Sequence, residues 1–258
     1  TINTVVIATR HNLHAEQIRS AWRADKHVFC EKPPCVCSEE LALLEKEHRA
    51  LAGKNRRPPL LLVGYNRRFS PMGLALKAHF EAVREPLAMH YRVNAGYIPL
   101  GHWVHDPDEG GGRIVGEVCH FVDFMIHLSS SLPTKVSARK LPNRGRYSDD
   151  NVVIQLDFAD GSIGTITYLS NGDKALPKER IEVFGGGAVG VLDNFRTIEL
   201  FGNGTHTSDS ALLAQDKGQR AMWNAFAEAI IEGKASPIPI EQLWATSRTT
   251  FAILKALQ

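Results

Sequence analysis

The residue types best suited to catalysis in this 258-residue sequence stand where predicted strands end. Glu31-Lys32-Pro33 closes a short apolar strand over His27–Cys30. Ligands of open α/β sheets bind at the carboxyl ends of the strands. A lysine held there by a rigid proline is a candidate for proton transfer. The alternative is an ordinary surface lysine that ends a strand.

A second set of candidates follows the triple glycine at 110–112, on a predicted helix over residues 113–128. Glu117 and His120 are three residues apart, as are His120 and Asp123, so the three share one helix face. A histidine flanked by carboxylates can be oriented and tuned as a general acid or base. The alternative is a core histidine satisfied by hydrogen bonds.

A third set lies in the turn at residues 9–14, between the first predicted strand and the helix after it. Such a turn offers backbone N–H groups and side chains to a ligand. Asn12 is expected to cap the helix over residues 13–24 whether or not a ligand binds.

One glycine motif is better explained without a ligand. Residues 185–190 fit the pattern G-x-G-x-x-G and follow a predicted strand. The dinucleotide fingerprint requires a helix next, because the pyrophosphate rests on a helix N-terminus. Residues 189–194 read instead as strand and turn, which predicts a β-turn or bulge at these glycines.

The elements that must position these groups fall into two regions. In the first, apolar strands at 4–9, 27–30 and 60–63 are separated by helices at 13–24 and 39–50, which predicts a parallel sheet. Ser38 is the expected cap of the second helix, and a loop with Arg56-Arg57-Pro58-Pro59 leads to the third strand.

The second region is mostly antiparallel in character. Ser70 and Pro71 predict the cap and first residue of a helix to about residue 83, and Asp160-Gly161 predicts a hairpin turn. The other predicted strands cover residues 87–94, 152–158, 163–170, 180–184, 189–194 and 197–201, and the closing helices cover 208–232 and 240–257.

The predicted fold class is therefore α/β, with a partial Rossmann-type parallel sheet followed by an α+β domain with a large, open, mostly antiparallel sheet. We predict a dinucleotide-binding domain over residues 1–68 and a substrate and oligomerisation domain over 69–258. The last helix is expected to pack back on the first domain. The open, partly apolar sheet face is a candidate surface for a homodimer or homotetramer.

Composition excludes several classes of protein. With 30 basic and 28 acidic residues the net charge is +2, which leaves no electrostatic footprint for nucleic acid or a membrane surface. No apolar run reaches the roughly 18 residues of a membrane helix. Four cysteines without regular spacing predict a reduced, cytoplasmic protein. Cys30, Cys35 and Cys37 do not have the spacing of a zinc site, so no metal is expected.

Together these motifs resemble the glucose–fructose oxidoreductase, inositol dehydrogenase and rhizopine-catabolism (Gfo/Idh/MocA) family. The matching segments occur in the family's order over nearly the whole chain: residues 7–14, 27–33, 64–69, the triple glycine at 110–112, and His120 with Asp123. The resemblance implies a Rossmann domain joined to an α/β domain, and hydride transfer between NAD or NADP and a sugar, polyol or nucleotide-sugar carbon.

The resemblance also implies residue roles. Lys32 and His120 would be the proton-transfer pair beside the nicotinamide, with Glu117 orienting His120. The residues expected to line the cofactor are Thr9, Asn12, His14, Glu31 and Pro33. The residues expected to shape the substrate end are Asn66, Arg68, Asn94, His102 and Trp103.

Three departures from the family pattern stand out. Many members place an aspartate four residues before the helical histidine, where this sequence has Gly116, and Glu117 is expected to take its place. The usual Trp-Arg pair before the triple glycine is Trp103-Val104. The chain opens at Thr1 inside the fold, without the glycine loop, so it is expected to be part of a longer polypeptide and, on its own, to bind NADH or NADPH weakly or not at all.

The predicted function is NAD(P)-dependent oxidation or reduction of a carbohydrate-like substrate. The alternative is a catalytically silent binding or assembly module derived from such an enzyme.

Overall fold

Two β-sheets organise the chain in the computed structural model, which describes residues 2–53, 58–211 and 214–258. The smaller sheet is parallel, in the order β1-β2-β3. Its elements, in chain order, are β1 (Thr4–Ile7), α1 (His11–Arg23), β2 (His27–Cys30), α2 (Ser38–Ala52) and β3 (Leu61–Val63). The predicted parallel sheet is confirmed. The predicted loop before β3 includes residues 56 and 57, which lie outside the described residues.

The parallel arrangement follows from strands that bury both faces. Val28, Phe29 and Cys30 are consecutive and all fully buried, as is the whole of β3. Such strands need a cover on each side, which helices between them provide. Ile18 and Trp22 of α1 complete this core.

The larger sheet has eight strands in the order β11-β10-β9-β8-β4-β7-β6-β5. Its elements are β4 (Ala88–Asn94), β5 (Pro133–Lys140), β6 (Asn151–Phe158), β7 (Ile163–Leu169), β8 (Glu179–Gly185), β9 (Ala188–Asp193), β10 (Thr197–Gly202) and β11 (Thr205–Ser210). Among the described strands of this sheet, only β4 and β7 pair in parallel, which confirms a mostly antiparallel sheet. In β6, Val152, Ile154 and Leu156 point to the core while the residues between them are exposed.

Helices cover one face of the larger sheet. They are α3 (Pro71–His79), α4 (Cys119–Ser129) and part of α6 (Ile240–Ala256). Ser70 caps α3 by accepting a hydrogen bond from the Gly73 N–H at 3.0 Å, with Pro71 as its first residue, as predicted. A π-helical stretch, Ile114–Val118, leads directly into α4.

Several local predictions were wrong. Helix α1 begins at His11, so Asn12 lies inside it instead of capping it, and Ser38 is likewise the first residue of α2. The helix predicted from residue 208 begins only at α5 (Gln219–Ile231), because residues 205–210 pair with β10. Strand β11 is exposed at every position, so it has no apolar alternation to reveal it. Positions 212 and 213 of that predicted helix lie outside the described residues.

The final two helices belong to both cores. Met222 and Phe226 of α5, with Leu243 and Trp244 of α6, pack in the core of the small sheet. Ile253 of α6 packs in the core of the large sheet. The division at residues 68 and 69 stays a prediction. Over the described part of the chain, no helix is both long and apolar enough to cross a membrane.

The glycine motif at 185–190 forms a tight hairpin, as predicted. Gly185 pairs with Ala188 across the β8–β9 connection, and Gly186 and Gly187 have φ of 54° and 77°. Two-residue hairpin turns of type I′ require positive φ at both central positions, which glycine adopts without strain.

We expect Gly190→Ala to lower the free energy of unfolding by about 1–3 kcal/mol through overpacking. A Cβ at this position would come 2.3 Å from Cδ1 of Leu76, which is fully buried. Gly101→Ala is the matched control, since no atom lies within 4 Å of its Cβ position. Urea denaturation measures both. A variant of normal stability that had lost NADH affinity would contradict this assignment and favour a dinucleotide loop.

Candidate active site

A polar cavity of about 260 Å³ opens at the carboxyl ends of β2 and β3. We call it the His120 cavity. Its lining residues are Glu31, Gly64, Asn66, Arg67, His120, Lys217, Gln219 and Met222. It brings together three predicted site residues, Glu31, Asn66 and His120. The remaining lining residues were not predicted to belong to the site, and two of them, Arg67 and Lys217, carry positive charge.

His120 enters the cavity as an uncharged base. Its ring packs edge-on against Tyr65, with 6.1 Å between the ring centroids. Its Nδ1 is buried and has no hydrogen-bond partner among the residues that the structure describes. Burial, followed by the positive charges of Arg67 and Lys32, holds the pKa of His120 well below its ordinary value. The imidazole of His120 is therefore in its neutral, unprotonated form at neutral pH.

Lys32 approaches the same histidine from the end of β2. Its Nζ donates a hydrogen bond to the carbonyl oxygen of Gly116 at 2.6 Å. Gly116 lies in the π-helical stretch just before α4, and such stretches occur frequently at functional sites. Lys32 is not among the residues lining the His120 cavity, but its charge lowers the pKa of His120. The amine and the imidazole therefore lie close enough to influence each other.

Glu117 has partners other than His120. Its carboxylate accepts hydrogen bonds from the hydroxyl of Tyr168, from Nη2 of Arg113 at 3.2 Å and from Nζ of Lys178 at 3.4 Å. Burial raises the pKa of Glu117, but the charges of Lys178 and Arg113 outweigh it and hold that pKa below its ordinary value. The predicted contact that orients His120 is therefore wrong, because the wider π-helical turn at Ile114–Val118 changes the α-helical spacing on which it relied.

Arg68 was predicted to shape the substrate end, but it lies in the core, paired with Asp123. Its Nε and Nη2 donate to the two carboxylate oxygens of Asp123 at 3.0 and 2.6 Å, and its Nη1 donates to Gln242 at 2.8 Å. Both ionic partners are buried. Arg68 is therefore part of a core ion pair, and its neighbour Arg67 lines the cavity in its place.

Arg67 belongs to a second buried network centred on Glu179. The carboxylate of Glu179 accepts from Nε and Nη2 of Arg67 at 2.7 and 2.9 Å, from the Tyr91 hydroxyl at 2.5 Å and from Nζ of Lys217 at 2.6 Å. Burial opposes ionisation, but Arg67 and Lys217 lower the pKa of Glu179 to about 2. The network fixes both cations at the wall of the His120 cavity. No local pattern could have revealed Lys217, which lies 150 residues after Arg67.

The predicted cofactor residues of the first turn hold the ends of β1 and β2 together. His14 is fully buried, with Nδ1 2.7 Å from the Pro33 carbonyl oxygen and Nε2 3.1 Å from that of Thr9. The Thr9 hydroxyl donates to Gln17 at 2.8 Å, and the Asn12 N–H donates to the Glu109 carbonyl at 3.2 Å. The ring of His14 therefore positions this turn through backbone contacts.

His11 fills the space left by Gly116. A Cβ at position 116 would come 2.9 Å from Cε1 of His11, whose Nδ1 is 2.8 Å from the Gly110 carbonyl. Burial lowers the pKa of His11 to about 4, although the bond to Gly110 acts in the opposite direction. Trp103 packs edge-on against this ring, with the Arg10 guanidinium 4.2 Å from the Trp103 ring centroid. The glycine at position 116 was therefore a sequence signal that the side chain of another residue, His11, packs against this position.

The predicted substrate residues Asn94 and His102 lie outside the cavity lining, as do Arg68 and Trp103. Asn94 donates from Nδ2 to the carbonyls of Asp173 and Leu176 at 2.6 and 3.0 Å, which holds the loop after β7. His102 is exposed, and its Nδ1 accepts from the Val104 N–H at 3.3 Å.

The cysteines show no metal geometry. Within residues 2–53, 58–211 and 214–258, no three His, Cys, Asp or Glu side chains group as metal ligands. All four cysteines are free thiols. Burial raises the pKa of Cys119 to about 12 and places those of Cys30 and Cys35 well above their ordinary value, so these thiols are protonated.

Two family descriptions match separate parts of the chain. Residues 1–55 match the GFO/IDH/MocA oxidoreductase family with its NAD-binding Rossmann fold. Residues 84–190 match the GFO/IDH/MocA C-terminal domain. The two matches occur in the order of the two sheets.

Individual relatives agree with this pattern. An uncharacterised oxidoreductase of Bacillus subtilis is 29% identical over 220 residues, covering 77% of this chain and 58% of its own. Inositol 2-dehydrogenase of Rhizobium meliloti is 27% identical over 214 residues, covering 77% and 59%. The chain therefore spans a little over half the length of these curated relatives.

A solved structure, levoglucosan dehydrogenase in complex with NADH and levoglucosan, superposes with a TM-score of 0.84 at 21% identity. The superposition covers 99% of this chain and 78% of that one. At this identity the similarity establishes the fold.

Proposed function

The chain belongs to the Gfo/Idh/MocA oxidoreductase family, and on that premise we propose that it serves NAD(P)-dependent hydride transfer to or from a sugar, polyol or nucleotide-sugar type of substrate. The resemblance seen in the sequence is thereby confirmed. The observation that carries the functional proposal is the neutral, buried His120 in a polar cavity at the strand ends, with Lys32 close by.

The residues at the strand ends fit the nicotinamide part of a dinucleotide. Gly64 makes room for the carboxylate of Glu31 at this strand end, because a Cβ at position 64 would come 2.9 Å from that carboxylate. The orphaned Nδ1 of His120 is a further unsatisfied polar group there. Glu31, Pro33, Thr9 and Asn12 would hold the cofactor, with His14 positioning their turn. When bound, NAD or NADP supplies the acceptor or donor of the hydride.

The chain's own residues then handle the proton. Oxidation of an alcohol requires the hydroxyl proton to leave as the hydride does, so a base must reach that oxygen at about 3 Å. His120 is uncharged and accepts the proton. Lys32, with further N–H donors beyond its bond to Gly116, stabilises the negative charge that develops on the substrate oxygen. Glu117 holds Lys178, Arg113 and Tyr168 together behind them.

Assembly and compartment are part of the same proposal. The uncovered face of the large sheet exposes Val153, Ile163 and Phe184 by 44%, 56% and 41%. This partly apolar face supports a homodimer or homotetramer, which light scattering would refute by giving a monomer mass. The four free cysteines support a cytoplasmic location.

An assay of hydride transfer tests the function. We expect the purified protein, at cofactor concentrations high enough to offset weak binding, to change the 340 nm absorbance of NAD(H) or NADP(H) with at least one member of a sugar and polyol panel. Titration with NADH, followed by quenching of tryptophan fluorescence, measures cofactor binding separately. Binding without turnover across the panel would instead favour the catalytically silent module.

A further inference from the structure

We propose that the substrate of the His120 cavity carries a carboxylate, held by Arg67 and Lys217, and is therefore a sugar acid or polyol acid. This inference rests on the function proposed above and deepens it. The carboxylate takes no part in the redox step; it anchors the molecule so that a neighbouring hydroxyl reaches His120.

The first support is a pair of cations with donors to spare. Arg67 uses Nε and Nη2 on Glu179, while its Nη1 has no hydrogen-bond acceptor among the described residues. Lys217 spends one N–H on Glu179, and 17% of its side chain remains exposed. An arginine nitrogen and an ammonium at one cavity wall match the oxygens of a carboxylate, and such charge-assisted bonds are the strong ones.

The second support is the charge balance behind that wall. Glu179 is fully buried and already accepts four hydrogen bonds, so a single negative charge stands behind two positive ones. An ion pair of this kind costs desolvation energy and is weak evidence for a purely stabilising role. The excess positive charge therefore remains available to a ligand at the cavity wall.

The third support is the positive electrostatic potential at His120. After burial, the influences that depress its pKa are the charges of Arg67, Lys32, Lys178 and Lys217. These four cations act although Glu31 lines the same cavity. The balance of charge at His120 is therefore positive, and a site of positive potential attracts ligands of the opposite sign. An anionic group would be drawn into this space.

Glu31 and the volume of the His120 cavity restrict the class of ligand further. The carboxylate of Glu31, which also faces the cofactor, would repel a second anionic group on the ligand. Pockets for drug-sized ligands hold about 300–1,000 Å³. A cavity of about 260 Å³ favours one sugar ring or open-chain polyol acid over a nucleotide sugar.

Matched substrate pairs test the proposal. We expect kcat/KM to be at least about tenfold higher for D-glucuronate than for D-glucose, or for D-galacturonate than for D-galactose. Lys217→Gln should lower kcat/KM for the acid, mainly through KM, about ten- to hundredfold more than it lowers kcat/KM for the matched neutral sugar. Rising salt should narrow the preference.

Two further variants separate charge from folding. Lys217→Arg keeps the positive charge and should retain the preference for acids. Lys135→Gln removes an exposed lysine of β5 and should leave every rate unchanged. If Lys217→Gln fails to fold, the Lys217→Arg variant and the wild-type preference still decide the question.

The outcomes distinguish this inference from the function beneath it. Turnover of neutral sugars with no preference for acids would overturn the carboxylate site and leave the oxidoreductase intact. If no sugar turns over, calorimetric titration with glucuronate and glucose decides: selective binding of glucuronate that Lys217→Gln abolishes supports the site. Equal or absent binding of both overturns it.

Discussion

Lys32→Met is expected to lower kcat by about 10²–10⁴-fold while changing the Kd for NADH little. The Nζ of Lys32 is anchored on the Gly116 carbonyl at 2.6 Å, and its charge acts on His120, so the amine is part of the proton-handling pair. Methionine retains the length and apolar stem of lysine but has no N–H to donate. Steady-state kinetics and NADH titration of the same preparation measure the two effects.

Lys46→Met is the matched control, because Lys46 is an exposed residue of α2. It should behave as wild type in both measurements. The pH profile gives a second readout. The rate of the wild-type protein should fall on the acid side as the imidazole gains a proton, and His120→Asn should remove that limb together with most of the activity. A Lys32→Met protein with wild-type kcat would rule out the proposed role of this amine.

The second large effect concerns stability: Glu179→Gln should lower the free energy of unfolding by about 3–5 kcal/mol. The substitution leaves a buried cation, Arg67, and a partly buried one, Lys217, facing a neutral amide that cannot balance their charge. Urea denaturation at pH 7 measures the loss. The exposed pair of Lys140 and Asp149, 2.8 Å apart, is the control, and Asp149→Asn should cost less than about 1 kcal/mol.

The same carboxylate predicts a dependence on pH. The pKa of Glu179 is lowered from 4.5 to about 2 in the folded protein. Its contribution is therefore fully present above about pH 4.5 and is lost as the pH falls from there through about 2. The Glu179→Gln variant should lose this part of the acid sensitivity. Equal acid sensitivity in the two proteins would show that the carboxylate does not sustain the network.

Local sequence patterns were sufficient to predict those elements whose structure depends on residues close together in the chain. Ser70 and Pro71 start α3 because capping needs only a side chain and a fixed φ. Asp160-Gly161 turns the chain between β6 and β7 for a similar reason. The continuous apolar runs of β2 and β3 predicted a parallel sheet covered on both sides.

Prediction failed where the structure depends on pairing between distant residues or on a departure from regular α-helix geometry. Strand β11 exists because β10 offers it a partner, and its own residues are polar and exposed. The expected alignment of Glu117 with His120 assumed a regular α-helix, which the π-helical stretch does not provide. Arg67 and Arg68 are adjacent and chemically alike, and only their distant partners, Glu179 and Asp123, separate their roles.

The last two helices also set the order in which this protein can mature on the ribosome. The ring of Phe29 in β2 stacks on Trp223, with 3.9 Å between centroids, and Leu243 and Trp244 close the same core. These partners are translated about two hundred residues after the strand they cover, so the part of the small sheet that α5 and α6 cover emerges unshielded. Early-made strands of this kind are exposed to aggregation during synthesis.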